Sequence, residues 1–233
     1  MSARRTFAIL KKQIKDTLKN KTILLQFVMF PLLTVIMANN IELTSMPENF
    51  FVILFGTMYI GMAPLISMSS IISEEKEYNT LRVLLMSNVK AAEYLIGISS
   101  YVIFLCTLGT IVIGLQANYN HTELAFFTIT MVIGIIISTL IGAVVGVYSK
   151  NQMTATSISV PFMVVFSFMP MLAFFNEKIS KISKYIYSQQ INDWISNLSN
   201  LKITNESMII LAVNFLIAMI LFILFYRKKG LES

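Results

Sequence analysis

Six long apolar stretches divide this chain, and none of them contains an Asp, Glu, Lys or Arg residue. The stretches cover residues 23–38, 50–72, 95–115, 124–148, 157–175 and 208–226. A helix of about 20 apolar residues crosses the hydrocarbon core of a bilayer, whereas a run of about 10–14 usually does not. The pattern therefore predicts an all-α integral membrane protein with six transmembrane helices, here called spans one to six.

Little of the chain remains outside these spans. Of its 233 residues, 56% are hydrophobic and 13% are charged. Each remaining segment is shorter than the roughly 50 residues that an independent domain needs. We therefore predict one six-span transmembrane domain over residues 1–233, without a soluble catalytic domain.

The lysines and arginines are distributed unequally between the two sides of the predicted bundle. Fourteen of the 18 lie in the N-terminal segment, in the segments after spans two and four, and in the C-terminal tail. Short cytoplasmic segments of membrane proteins carry this excess, so both termini are predicted to be cytoplasmic. The net charge of +6 is then a mark of orientation and not of nucleic-acid binding. Residues 1–21 are too long and too charged for the start of a signal peptide, so span one is expected to be retained.

The N-terminal segment, residues 1–21, has helical periodicity. Its apolar residues recur at three- and four-residue steps, and its lysines occupy the adjoining arc. The apolar stripe consists of Phe7, Leu10, Ile14 and Leu18. A basic amphipathic helix of this kind lies in the headgroup layer of a bilayer. We predict such an in-plane helix, and a simple positively charged anchor is the alternative.

The segment between spans five and six, residues 176–207, carries a second stripe of helical spacing. Its members are Ile191, Trp194, Ile195 and Leu198, and Ile179, Ile182 and Ile186 form a shorter one. This pattern predicts one or two short external helices that rest on the outer leaflet or enter it and cap a translocation path. A surface loop lying on lipid is the alternative interpretation.

The segment between spans two and three predicts a cytoplasmic helix over residues 73–93. Leu81, Leu84, Leu85 and Val89 form its apolar face. Ser73 is a candidate N-cap, and the acids near the start, Glu74, Glu75 and Glu77, complement the helix dipole. Because this helix is joined to two spans, a partner that pushes on it would move both.

This segment resembles the motif that membrane subunits of ABC type-2 exporters carry after their second span. The family pattern is Glu-(Arg/Lys)-Glu-x-Gly-Thr-Leu-Glu-x-Leu-Leu-x-(Thr/Ser)-Pro-(Val/Leu), followed by a Glu-x-(Leu/Ile)-x-Gly step. The matching residues are Glu75, Lys76, Glu77, Thr80, Leu81, Leu84, Leu85, Ser87, Val89 and Gly97. Asn79 stands in place of the usual Gly, Asn88 in place of Pro, and Arg82 in place of an acid. Asn tolerates the turn conformations that Gly and Pro mark.

The resemblance implies a division of labour between subunits. The segment from Glu75 to Val89 would be the coupling helix that contacts a separate pair of ABC ATPases. A second permease copy or a paralogue would complete the path, and the partner ATPase would bind ATP and Mg²⁺. No Walker A pattern occurs in this chain, so we expect it to bind no cofactor itself.

Other residues are candidates for packing or for the path. Ser138, Gly142 and Gly146 form a small-residue stripe that lets helices approach closely, within the subunit or between copies. The candidate path or hinge residues are Pro64, Pro161, Pro170 and Asn214. Prolines bend helices, and Asn214 brings an amide into span six.

The spans lack the groups that intramembrane chemistry requires. An ion-coupled transporter normally keeps a carboxylate, lysine or histidine inside its helices, and hydrolysis needs a general base. The one histidine, His121, lies in a loop, and the one cysteine, Cys106, lies in span three. We therefore expect neither a metal site nor a disulfide, and no enzymatic activity in this chain.

Together these features predict the multi-pass permease subunit of an ATP-driven ABC exporter. Its cargo would be amphipathic or hydrophobic: a peptide, an antibiotic or a lipid-like compound. The Asn-, Ile- and Lys-rich composition favours a bacterial cell membrane. The alternative is a membrane scaffold or immunity protein that acts by binding alone.

Overall fold

The computed structural model describes residues 9–14, 21–41, 46–47, 49–86, 91–198 and 203–229, without the side chains of residues 21–22, 82, 84–85, 91–92 and 227–229. Residues 9–14 are helical. The further elements are α1 (Lys21–Asn40), α2 (Phe50–Glu77), α3 (Thr80–Met86), α4 (Ala91–Gly114), α5 (His121–Tyr148), α6 (Gln152–Met163), a π-helical segment (Val164–Phe168), α7 (Met169–Phe175), α8 (Glu177–Ser183), α9 (Tyr187–Ser196) and α10 (Asn205–Lys229). The described part of the chain contains no β-strand, so the all-α prediction is confirmed.

In the part of the chain that the structure describes, six helical stretches are long and apolar enough to cross a membrane. They are Ile23–Asn40, Phe50–Glu77, Glu93–Gly114, His121–Tyr148, Gln152–Phe175 and Asn205–Tyr226. The six-span prediction is therefore confirmed. We call the end of the bundle where α1 begins and α10 ends the terminus side, and the other end the opposite side.

The second span, α2, is the centre of the bundle. It contacts α1, α4, α5, α6, the π-helical segment and α9. In its apolar stretch 67% of the residues are buried, compared with 17% in that of α10. Small residues permit this close packing. A Cβ atom on Gly142 of α5 would meet the carbonyl oxygen of Leu65, and one on Gly146 would lie 2.8 Å from Ile72 Cβ. The stripe of α5 that begins at the buried Ser138 thus faces α2 in the same subunit.

The fifth span consists of three helical pieces, because α6 passes into the π-helical segment and then into α7. Pro161 lies inside α6 and Pro170 at the start of α7, where each removes a helical N–H donor. The π-helical segment packs on α2 at Gly61, whose added Cβ would lie 2.6 Å from the backbone carbon of Phe166. Ser167 Oγ donates to the carbonyl of Met58 over 3.1 Å.

The segment between spans five and six differs from its predicted place on lipid. It forms two short helices, α8 and α9, but the stripe of α9 is buried in the protein core, with Ile191 fully buried and Ile195 1% exposed. Asn192 Nδ2 donates to Thr57 Oγ1 over 2.8 Å, about 10 Å along α2 from its first residue at a rise of ~1.5 Å per residue. An apolar stripe can be satisfied by lipid or by protein, and here α2 and α5 cover it.

The predicted helix over residues 73–93 is also corrected. The second span continues as one helix through Glu77, and α3 covers only Thr80–Met86. Asn79, between them, has φ 55°, a left-handed conformation that ends a helix. Val89 lies outside the described residues, as does most of the predicted in-plane helix over residues 1–21, of which residues 9–14 are described as helical.

Candidate functional site

Glu75, in the last turn of α2, is buried and bound to the N-terminal helix. It is 6% exposed. Lys12 Nζ lies 2.5 Å from Glu75 Oε1, and Gln13 Nε2 donates to the same oxygen over 2.6 Å. A buried carboxylate needs a charged partner and hydrogen bonds to offset its loss of hydration. The first acid of the motif therefore binds the segment over residues 9–14 and does not face the terminus-side surface.

Lys76 binds the end of α5. Its Nζ donates to the carbonyl oxygens of Val147 and Ser149 over 2.6 and 2.7 Å. The last carbonyls of a helix lack intrahelical donors and carry partial negative charge, so a cation is favourable there. The lysine of the motif thus joins α2 to the C-terminus of α5.

Glu77 binds the start of the next helix. Its Oε2 accepts a hydrogen bond from the backbone N–H of Gln152, the first residue of α6, over 3.0 Å. Anionic groups are favourable at helix N-termini, where backbone N–H groups are unsatisfied. Lys76 and Glu77 therefore hold opposite ends of the short turn between α5 and α6. We call this arrangement of Glu75, Lys76, Glu77 and their partners the terminus-side junction.

The turn that follows the junction is stabilised by local hydrogen bonds. The Asn79 N–H donates to the carbonyl of Lys76 over 3.0 Å, and Thr80 Oγ1 donates to the carbonyl of Glu75 over 3.0 Å. Asn79 has the positive φ that its place in the motif predicts, since the family pattern has Gly there. Asn is one of the few other residues that reach this conformation at small cost.

The short helix α3 presents apolar side chains on the terminus side. Leu81 is buried at 6% exposure, whereas Tyr78 is 70%, Val83 61% and Met86 78% exposed. We call Tyr78, Val83 and Met86 the α3 patch. Val83 and Met86 are three positions apart and therefore share one face of α3. An exposed apolar face outside the predicted spans is a candidate interaction surface. The side chains of Leu84 and Leu85 lie outside the described part of the structure.

The remaining predicted residues lie apart from this junction. Pro64 is buried in α2 and Pro170 in α7, whereas Pro161 of α6 is exposed. Asn214 Nδ2 donates to the carbonyl of Tyr185 over 3.0 Å and to that of Ile210 over 2.8 Å. The amide of span six therefore supports the α8–α9 turn.

Asn214 also lines an apolar cleft of about 350 Å³ between α5, α6 and α10. Its other walls include Ile141, Val144, Phe162, Ile217 and Phe225. Within the described residues, no group of three or more His, Cys, Asp or Glu side chains could hold a metal ion. Cys106 is buried in α4, and His121 begins α5.

Sequence reasoning missed the partners of the motif. Lys12 and Gln13 bind Glu75 from more than 60 positions away, and no local pattern indicates such a pairing. The exposed positions Val83 and Met86 of α3 were also missed, because the apolar stripe in the sequence runs through other positions of this segment. The motif marked Asn79 as a residue that tolerates a turn conformation, but the predicted helix over residues 73–93 ran through it.

The fold and the junction describe a multi-pass membrane protein in which Glu75, Lys76 and Glu77 make their polar contacts at the terminus side of the bundle. A family model described as "ABC-2 family transporter protein" matches residues 2–226, and the chain belongs to that family. The comparison with curated proteins gives no match. The resemblance seen in the motif is confirmed. Membership makes the chain a membrane subunit of an ABC transporter, a type of subunit that normally is not itself catalytic and that associates with an ABC ATPase.

Proposed function

We propose that this chain is the permease subunit of an ATP-driven ABC exporter and that α3 is its contact with a separate ATPase. The observation that carries the proposal is the division of the motif into two halves. The side chains of its charged half, Glu75 to Glu77, form hydrogen bonds inside the subunit. Its helical half exposes Val83 and Met86 at 61% and 78%, so we assign the contact with a partner to the α3 patch.

This division assigns each half a role in force transmission. A partner that displaces α3 moves α2 directly, because the connection between them is the two-residue turn at Tyr78 and Asn79. Lys76 and Glu77 carry the displacement to α5 and α6, and Glu75 carries it to the N-terminal helix. Charge-assisted hydrogen bonds are short and directional, which suits them to this purpose.

The orientation and assembly follow from the charge pattern and the family. Fourteen of the 18 lysines and arginines lie in the sequence segments before span one, after spans two and four, and after span six, so we propose that the terminus side is cytoplasmic. The partner ATPase pair supplies ATP and Mg²⁺ chemistry. A second copy of this chain or a paralogue completes the path for an amphipathic or hydrophobic cargo across a bacterial cell membrane. The apolar walls of the cleft beside Asn214 are compatible with such a cargo.

The test is co-purification of an ATPase from detergent-solubilised native membranes. Val83→Asp combined with Met86→Asp places two carboxylates in the α3 patch, and we expect the ATPase activity that accompanies the wild type to be lost. Leu115→Asp is the matched control, since Leu115 is 61% exposed on the opposite side. Thermal unfolding of each variant verifies that the permease is folded.

Two outcomes would contradict the proposal. An ATPase that remains bound to the folded Val83→Asp/Met86→Asp variant would exclude the α3 patch as the contact. Wild-type protein that purifies without any ATPase would favour the alternative, a scaffold or immunity protein that acts by binding alone.

A further inference from the structure

A cavity of about 370 Å³ opens on the opposite side of the bundle, between the start of α2, α7, α8 and α9. Its two walls differ in chemistry. One wall is apolar and includes Phe50, Ile53 and Phe174, whereas the other is polar and includes Gln189 and Asp193. The rings of Phe50 and Phe174 lie with their centroids 6.1 Å apart. The cavity is therefore amphipathic and distinct from the junction at the terminus side.

Asp193 carries a negative charge that no cation among the described residues pairs with. Its Oδ1 accepts a hydrogen bond from Gln189 Nε2 over 2.8 Å, and within the described residues no lysine or arginine forms an ion pair with it. Lys184, in the turn before α9, pairs with Glu206 instead at 3.6 Å. Asp193 is exposed as a residue, yet the protein around its carboxyl raises the pKa of that carboxyl by desolvation, against the opposing effect of the Gln189 hydrogen bond.

Gln189 adds an unused acceptor in the same wall. The residue is 7% exposed, its Nε2 is committed to Asp193, and its Oε1 is buried with no hydrogen-bond partner among the described residues. Leaving a buried acceptor unpaired costs about 1–3 kcal/mol. A ligand that donates a hydrogen bond to Gln189 Oε1 would remove this cost. Gln189 and Asp193 are four residues apart and share one face of α9.

We propose that this cavity binds an amphipathic cation whose charged nitrogen carries N–H donors, an ammonium or a guanidinium. The nitrogen would donate to Asp193 and to Gln189 Oε1, and the apolar part would pack against Phe50, Ile53 and Phe174. Aromatic faces also attract a cation within about 6 Å of the ring centroid. If the site binds the transported cargo, that cargo is an amphipathic cation. This role in transport rests on the proposed function. The binding itself is a property of this chain alone.

The test measures binding to the full-length permease in phosphatidylcholine nanodiscs by calorimetry, with empty nanodiscs as the blank. Three probes separate charge from hydrogen bonding: 2-phenylethylammonium, its N,N,N-trimethyl counterpart and 2-phenylethanol. The primary ammonium is expected to bind most tightly, the trimethyl compound several-fold more weakly because it has no N–H, and the alcohol about tenfold or more weakly, as expected for hydrogen bonds to a charged group.

Two variants assign the affinity to the two acceptors. Asp193→Asn keeps the shape and removes the charge, so the primary ammonium should lose about tenfold in affinity and the alcohol should be unaffected. Gln189→Met should abolish the preference for the primary over the trimethyl cation. Glu177→Gln is the control, since it removes an exposed acid of the opposite side that does not line the cavity.

Equal binding of the ammonium and the alcohol by the folded wild type would overturn the proposal, as would unchanged ammonium binding by Asp193→Asn. A lysine-containing amphipathic peptide, compared with its norleucine analogue, distinguishes a peptide cargo from a small amine. Cation binding without any co-purifying ATPase would contradict the proposed function and leave the site intact. Co-purification of the ATPase without cation binding would contradict the proposed cation site and leave the proposed function intact.

Discussion

At the scale of single residues, two asparagines adopt a backbone conformation that most side chains avoid. Asn79 has φ 55° and Asn49, the N-cap of α2, has φ 58°. Left-handed conformations cost most non-glycine residues about 1–2 kcal/mol, and Asn reduces that cost. These residues bound α2 at its two ends, and only Asn79 adjoins the α3 patch.

We predict that Asn79→Val destabilises the permease by about 1–2 kcal/mol because a β-branched residue is strained at positive φ, and that Asn79→Gly has little effect. Thermal unfolding in detergent measures both. Asn49→Val is the matched control, with the same strain on the opposite side. ATPase co-purification should fall for Asn79→Val and persist for Asn49→Val. Equal co-purification with the two valine variants would argue against a role of this turn in coupling.

At the scale of helices, the junction joins three elements through side chains of one short run. Lys76 contacts the end of α5, Glu77 the start of α6, and Glu75 the helix over residues 9–14. The charge of each side chain matches the helix end that it meets: the lysine meets carbonyls and the glutamate an N–H group. The end of α2 is thereby placed relative to its neighbours by directional bonds as well as by packing.

Lys76→Met should loosen the turn between α5 and α6, because the last carbonyls of α5 lose their cation. We expect faster amide hydrogen exchange over residues 149–154, measured by mass spectrometry on the protein in nanodiscs. Lys150→Met is the control for loss of charge, since Lys150 is exposed in that turn and the junction does not use it. Exchange that rises equally in both variants would show that charge alone, and not the bonds of Lys76, stabilises the turn.

At the scale of the whole molecule, stability depends on how closely α5 approaches α2. The two helices are in extensive contact, and a Cβ atom at Gly142 would collide with the backbone of Leu65. Membrane helices associate through this kind of close backbone contact because lipid is as apolar as their side chains. The central pair then forms the surface on which α6, α9 and α10 pack.

Gly142→Ala should therefore destabilise the bundle by about 1–3 kcal/mol through overpacking, because rigid backbone stands in the way. Gly56→Ala should be tolerated, since its Cβ would meet only side chains, the nearest being Met131 Cε at 3.4 Å. Thermal unfolding of the purified permease compares the two. A Gly142→Ala variant as stable as Gly56→Ala would show that the helices can separate slightly without loss.

Much of the architecture follows from local sequence. The length of each apolar run matches the thickness of a bilayer, so the six spans are determined before any tertiary contact forms. The turn at Asn79 follows from a residue type that tolerates positive φ. The contacts of the candidate site could not be predicted in this way, because Glu75 binds Lys12 and Gln13, which lie more than 60 positions away in the sequence.

The sequence by itself determined the six apolar stretches that can cross the membrane and the family that the motif resembles, since each depends on neighbouring residues. Only the tertiary structure decided where the apolar and charged faces point. The stripe of α9 would be satisfied equally by lipid, and packing against α2 and α5 buries it in protein. In the described structure Asp193 has no ion-pair partner, since Lys184, in the turn before α9, pairs with Glu206.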